Sequence, residues 1–295
     1  MNKKKLQANL ILLFTAVIWG SGFIPARVCM EYVSPTFYTT LRFLVASIAL
    51  LPLIGRQKEW KPYILGGAAC GAALMTASLV QQYGLIFTSA SKGGFITAMY
   101  VVMVPVLSIF LKKKAARQVW FGVVLAVAGL YLLCITSSFS VAPSDILVFI
   151  SAFFFAVHFL VIDHCLKHAE NPFRLAFFQA VTCALIGAAL LPVSGVPDKA
   201  AFLTILPWFV YSGAIPTGLG FALMIVGQRN TGATISSIIL SLESVSAVVF
   251  GVLLLDEHLG PRELAGCVLM FAAIVIAQLP SPQKKSSAEE VQCDG

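Results

Sequence analysis

Some ten separate stretches of about twenty mostly apolar residues are fitted into this chain, near 8–28, 34–54, 62–87, 92–111, 117–136, 145–164, 173–193, 201–226, 231–254 and 263–280. No soluble core needs so many. A stretch of about 20 apolar residues matches the roughly 30 Å of bilayer hydrocarbon when coiled as an α-helix. In hydrocarbon every backbone N–H and C=O must be paired within the protein, which a helix does by itself. The expected fold class is therefore an all-α polytopic membrane protein with ten transmembrane helices.

The rest of the composition agrees. Apolar residues make up 59 % of the chain and charged residues 11 %, against about 25 % charged in soluble domains. The stretches leave only short connections, so no soluble enzyme or receptor domain fits between them. The net charge of +7 does not point to nucleic acid, because Lys and Arg gather at the ends of the apolar stretches. The first stretch lacks a small-residue cleavage site and reads as a retained helix rather than a signal peptide. Residues 281–295 read as a polar, disordered cytoplasmic tail. The seven cysteines form no CxxC pair and sit mostly in apolar runs, where cysteine behaves as a small hydrophobe. Neither disulfides nor a metal site are expected of them, and no cofactor is called for.

Basic residues favour the cytoplasmic side of a bilayer. With the N-terminus inside and ten crossings, cytoplasmic segments hold fifteen of the 20 Lys and Arg, the opposite side four, and Arg42 alone lies within a helix. Both termini are expected in the cytoplasm, in a multi-pass protein of the cytoplasmic membrane. A faint internal echo accompanies this. Gly84, Thr88 and Ala90 fall on Gly227, Thr231 and Ala233 at a spacing of 143, and Ser34–Pro35 faces Asn171–Pro172. Residues 8–136 and 145–280 are expected to be two five-helix repeats. An odd number of crossings per copy would insert the second upside down, the arrangement that supports alternating access.

An ionisable group in mid-bilayer costs about 2.5–3.5 kcal/mol on insertion scales and tends to face the bundle interior or a water-filled path. Glu243, in IILSLESVSAVVF, is a candidate substrate or proton site, or else a carboxyl bonded within a helix contact. Arg42, in YTTLRFLVASIAL, reads more as a helix pin than as a ligand for anions. His158, in FFFAVHFLVIDH, is either a proton-exchanging group or a neutral bridge between helices. Gln81, Gln82 and Tyr83, with Ser91, Tyr100 and Gln179, offer amides and hydroxyls that suit a neutral or zwitterionic ligand better than a multiply charged anion. Trp19, Gly20 and Pro105 interrupt or anchor their helices and are structural or gating candidates.

IWGSGFIPARV at 18–28, SPTFYTTLRFLVA at 34–46, YGLIFTSAS at 83–91, Pro105, and LLLDEHLGPRELAG at 253–266 together resemble the EamA family of the drug/metabolite transporter superfamily, over about residues 8–280. The resemblance implies a carrier of two inverted EamA units whose third, fourth, eighth and ninth helices surround a central path. It carries Gln81, Tyr83, Tyr100 and Glu243 over as lining, and Arg42 and Glu257 as pattern positions. The chain departs from the family pattern at Lys112–Lys113–Lys114, at Glu243–Ser244 and at Ala156–Val157.

These features point to a secondary transporter of a small polar or amphipathic metabolite, amino-acid-like, working outward. Its partners are the small-molecule substrate and membrane lipid. Proton coupling and a homodimer are compatible with it. An intramembrane enzyme is disfavoured because His158, Asp163 and Glu243 are scattered. A sensor or assembly protein without transport is the alternative.

Overall fold

The structure, a computed structural model, describes residues 3–56, 59–88, 90–113, 115–134, 142–169, 171–195, 197–255 and 260–279. Along the described residues the helices are α1 (Lys3–Ser21), α2 (Phe23–Met30), α3 (Pro35–Leu50), α4 (Lys61–Leu85), α5 (Ala90–Thr97), α6 (Tyr100–Phe110) and α7 (Arg117–Cys134). They continue with α8 (Pro143–Cys165), α9 (Pro172–Leu190), α10 (Lys199–Ser212), α11 (Gly220–Thr231), α12 (Ala233–Leu240), α13 (Glu243–Leu255) and α14 (Pro261–Gln278).

Local chemistry sets several boundaries. The Ser34 side chain accepts from the Phe37 N–H at 3.2 Å and Pro35 follows as the first helical residue. Asn171 caps α9 in the same way, taking the N–H groups of Phe173 and Arg174 ahead of Pro172. Both are side-chain caps on otherwise orphaned N–H donors, with proline where no donor is needed. Between α10 and α11 the chain never leaves the helix but widens into a π-helical segment, Gly213–Leu219. Pro216 lies within it. Proline cannot donate to the carbonyl four residues back and its ring crowds that carbonyl, so the coil opens there. Pro105 behaves differently from the expected break. It sits buried inside α6, and the interruption of that span falls earlier, at Ala98–Met99.

Packing is closest where side chains are smallest. A Cβ on Gly67 would lie 2.3 Å from Phe178 Cβ, and one on Gly71 2.6 Å from Thr182 Cβ. This pair, one helical turn apart, lets α4 lie directly on α9, as small residues do between membrane helices. α4 also packs on α8, α3 on α9, α1 on α11 and α13, and α7 along α14. Large apolar side chains such as Phe14, Ile48, Leu65, Val124, Leu185 and Val275 point out of the bundle, toward the lipid that such helices require.

The expectation of ten transmembrane helices in two inverted five-helix repeats is corrected. Among the described residues seven helices are long and apolar enough to cross a membrane: Lys3–Met30, Pro35–Leu53, Lys61–Leu85, Gly93–Phe110, Pro143–Cys165, Pro172–Val193 and Lys199–Thr231. The apolar helices Arg117–Leu132, Ala233–Ala247 and Leu264–Gln278 run for 10–17 residues. Among the described residues the longest of these apolar runs, Arg117–Leu132, reaches about 24 Å at 1.5 Å per residue, less than the roughly 30 Å of hydrocarbon.

Contacts gather the basic helix ends at one end of the bundle. Lys113 pairs with Asp163, Arg174 donates to the Arg56 carbonyl at 3.0 Å, Gln118 to the Leu279 carbonyl at 2.9 Å, and Asn9 to Gln278. At the other end Thr88 bonds Ser144 and Asp145, both at 3.1 Å, and the Thr36 and Tyr83 hydroxyls meet at 2.8 Å. Residues 281–295 and Glu257 lie outside the described residues.

Candidate functional site

Between the two ends lies a partly open cavity, with about 800 Å³ of protein-free space that includes its mouth to solvent. α1, α3, α4, α6, α8, α11, α13 and the π-helical segment all contribute to its wall. The wall runs from Tyr100, Phe159 and Met224 to Ala26 and Leu85, near helix ends at the less basic end of the bundle. Toward the basic end the path is filled. Gln228 Nε2 donates to the Phe159 carbonyl at 2.6 Å, and α12 packs against α6 and α1.

Two interrupted helices meet at the site. α5 and α6 are separated by Ala98–Met99, and Tyr100 opens the second piece. α12 and α13 are separated by Ser241–Leu242, and Glu243 opens the second piece. The Tyr100 hydroxyl donates to Glu243 Oε1 at 3.1 Å, with its ring 5.3 Å from that of Phe159. Glu243 keeps partial exposure, whereas Tyr100 is buried. The carboxyl is thus held on one side and open to the cavity on the other. Arg42 supplies the opposite charge from α3. Its guanidinium lies 5.4 Å from the Tyr38 ring centroid and 5.2 Å from that of Phe43, a cation–π setting that holds the head in place. Its Nε has no hydrogen-bond partner in the protein.

His158 and Gln179 form a pair. The His158 ring is 1 % exposed, at the cavity wall, and its Nε2 lies 2.8 Å from Gln179 Oε1. Gln179 sits behind the ring on α9 and does not reach the cavity. Gln81 and Gln82 are both at the wall, and Gln81 donates to Thr97 Oγ1 at 3.1 Å. Tyr83 is placed elsewhere. One residue further round α4, it is 44 % exposed, engaged with Thr36 and outside the wall of this cavity. Ser91 belongs to α5, and its side chain lies outside the described residues. Trp19 lines the cavity and donates from Nε1 to the Pro216 carbonyl at 3.0 Å. Gly20 packs against α13, where a Cβ would stand 2.4 Å from Ser246 Cβ.

Sequence reading passed over several side chains here. Ser78 shares a face of α4 with Gln82, four residues on, a spacing that could have flagged it. Ser212 precedes the widened segment and Thr217 lies within it, among Gly213, Pro216 and Gly218. Phe155, Phe159 and Phe221 looked like ordinary span residues. The polar ones matter most. Among the described residues Arg42 Nε, Ser78 Oγ, Gln82 Oε1 and His158 Nδ1 all lack a partner in the protein, and all four residues line this cavity. Buried polar groups are nearly always paired, so this concentration of unmet donors and acceptors beside one cavity sets it apart from the rest of the described bundle.

The profile of the EamA-like transporter family matches residues 6–135 and 142–278. An uncharacterized transporter of Archaeoglobus fulgidus is 32 % identical over 278 residues, covering 94 % of this chain and 87 % of its own. The uncharacterized transporter YetK of Bacillus subtilis is 25 % identical over 306 residues, covering 98 % and 92 %. A protein of known crystal structure superposes with a TM-score of 0.75 at 16 % identity, over 92 % of this chain and 98 % of that one, a likeness of fold. The match over nearly the whole chain, two segments that meet around one internal cavity, and the apolar spanning helices place the protein in the EamA-like transporter family of the drug/metabolite transporter superfamily, and hence among multi-pass membrane transporters of small molecules rather than enzymes.

Proposed function

We propose that the protein exports a small zwitterionic, amino-acid-like metabolite across the cytoplasmic membrane by alternating access. The supporting observation is one cavity that presents a carboxyl, Glu243, and a guanidinium, Arg42, from different helices. An ammonium group fits the first and a carboxylate the second. Trp19, Phe23, Phe155 and Phe221 offer apolar surface for the body of the ligand. A dianion would find one cation and a repelling carboxylate, so it fits poorly.

The cavity reaches the less basic end of the bundle and is filled toward the basic one. Basic loops favour the cytoplasm, so this conformation is read as open to the outside, with the basic helix ends inside. Release toward the cytoplasm, or loading from it, needs the contacts around Gln228, Phe159 and α12 to part. The breaks at Ala98–Met99 and Ser241–Leu242 and the π-helical segment are the places where helices can bend without losing every hydrogen bond. Glu243 is the acid we assign to proton exchange, with Tyr100, Arg42 and His158 as the polar and titratable groups around the same cavity.

Flux of labelled amino acids through purified protein in proteoliposomes tests the reading. Zwitterions are expected to move, faster with an imposed pH gradient, and dicarboxylates are not. Transport of dicarboxylates without zwitterions would overturn it.

A further inference from the structure

We propose that the cavity selects substrates whose apolar body carries a hydrogen-bond donor, and that His158 accepts this donor through Nδ1. The ligand class is an amino-acid-like compound with an O–H or N–H on its side chain, such as a phenol, an indole or an amide. The inference rests on the zwitterion reading for the head of the ligand, but its acceptor is a separate group on a separate helix.

The geometry fixes what each ring nitrogen does. Nε2 faces Gln179 Oε1 at 2.8 Å. An amide oxygen only accepts, so Nε2 carries the proton. In the neutral imidazole the other nitrogen is then a bare acceptor. That nitrogen, Nδ1, has no partner in the protein although the ring is 1 % exposed. Phe221 packs on the ring at 5.9 Å, nearly perpendicular, and offers nothing polar. A histidine serving only to brace α8 against α9 would not leave a buried acceptor unmet in a residue that lines the cavity. Gln82 Oε1, also at the wall, is a second unpartnered acceptor. Two acceptors without donors describe a ligand that brings donors. Gln179 is a positioning residue: it touches the ring and not the cavity, and it decides which nitrogen is bare.

Discrimination follows from the cost of leaving such an acceptor unmet when the site closes on a ligand. A missing partner costs about 10-fold or more in affinity, and sites built around a substrate hydroxyl reject the analogue that lacks it more strongly than apolar pockets reject an extra methylene.

Titration calorimetry of the purified full chain with L-tyrosine and L-phenylalanine, which differ by one hydroxyl, reads this preference. Tyrosine is expected to bind at least about 10-fold more tightly. His158→Phe is expected to bring the ratio of the two affinities to about one. Equal affinities in the unaltered protein, or an unchanged preference in His158→Phe, overturn the proposal. Nitrogen-15 NMR of histidine-labelled protein gives a readout independent of the amino-acid head. The chain holds 4 histidines, and the His158 signals are identified by their loss in His158→Phe. The Nε2–H form is expected in the unaltered protein and a mixture of tautomers in Gln179→Leu. 4-Methylphenol should shift the bare nitrogen and toluene should not. A protonated Nδ1 in the unaltered protein, as a reversed Gln179 amide would give, overturns the proposal. If 4-methylphenol shifts Nδ1 while neither amino acid binds, the acceptor stands and the zwitterion reading falls.

Discussion

The Tyr100 hydroxyl donates to Glu243 Oε1 across 3.1 Å, and each residue is the first of a helix that restarts after a break. They are 143 positions apart, the spacing that sets Gly84 on Gly227. The breaks themselves correspond. Met99 N bonds the Ile96 carbonyl at 3.1 Å and Leu242 N the Ile239 carbonyl at 3.2 Å; Val101 N bonds Ala98 and Ser244 N bonds Ser241. Each break swaps α-helical for tighter 3₁₀ bonding at the same relative place. The bend, the hydroxyl and the carboxyl therefore meet at one level of the bundle, where a moving substrate and a bending helix can affect each other.

Tyr100→Phe keeps the ring against Phe159 and removes the donor. A hydrogen bond to a charged group is worth about 1.5–3 kcal/mol, so substrate flux in proteoliposomes is expected to fall by about 10-fold or more. Thermal stability in detergent should change little. Glu243→Gln keeps the shape and removes the ionisable group. Its flux is expected to lose the response to an imposed pH gradient, and a full response in that variant removes Glu243 from proton exchange.

Arg42 is held by two rings rather than by an ion pair. Lysine lacks the planar head that stacks and forks toward a carboxylate. Arg42→Lys is expected to raise KM by about 10-fold for an amino acid and to leave the corresponding carboxylate-free amine nearly unaffected. Measuring both substrates separates loss of a ligand contact from loss of the fold, because misfolding would depress the two together.

Membrane class and the polar residues with an inner face were readable in the sequence because lipid makes each of them costly. Glu243, Arg42 and His158 stand out among apolar neighbours for that reason alone. Which residues meet was not readable. His158 and Gln179 lie on different helices, and Lys113 finds Asp163 across 50 positions. Tyr83 stands off the cavity although its neighbours Gln81 and Gln82 line it, because one step along a helix turns a side chain by about 100°. The count of ten crossings fails at 117–136, 231–254 and 263–280, where the apolar runs among the described residues are Arg117–Leu132, Ala233–Ala247 and Leu264–Gln278.

The α4–α9 contact depends on the absence of side chains at Gly67 and Gly71. The atoms that a Cβ on Gly67 would strike include Phe178 C and Gln179 N, which are backbone and cannot swing away. Gly67→Ala is expected to cost about 1–3 kcal/mol, read as a lower unfolding temperature in detergent. Gly94→Ala is the control, since its Cβ would meet only Ser244 Oγ, at 3.9 Å. An equal loss in both variants would mean that helix flexibility, not contact, is what these glycines provide.

The last prediction concerns Trp19 and Gly220. The indole N–H reaches the Pro216 carbonyl at 3.0 Å, inside the π-helical segment, and the ring lies 4.9 Å from Phe221. The indole fits there because residue 220 has no side chain. A Cβ on Gly220 would stand 2.5 Å from Trp19 Nε1 and 2.9 Å from Cδ1. Gly220→Ala should therefore push the indole off the carbonyl, and Trp19→Phe should remove the hydrogen bond without a clash. Each alone is expected to slow flux by about 5- to 30-fold, the scale of a lost hydrogen bond of about 1–2 kcal/mol. Together they should cost less than the sum, because phenylalanine lacks the nitrogen that the added methyl would strike. Residues in contact show coupling of about 0.5–3 kcal/mol in such cycles. Strictly additive losses would show that Trp19 and Gly220 act on transport separately, and that the widened segment is not held in place by the indole.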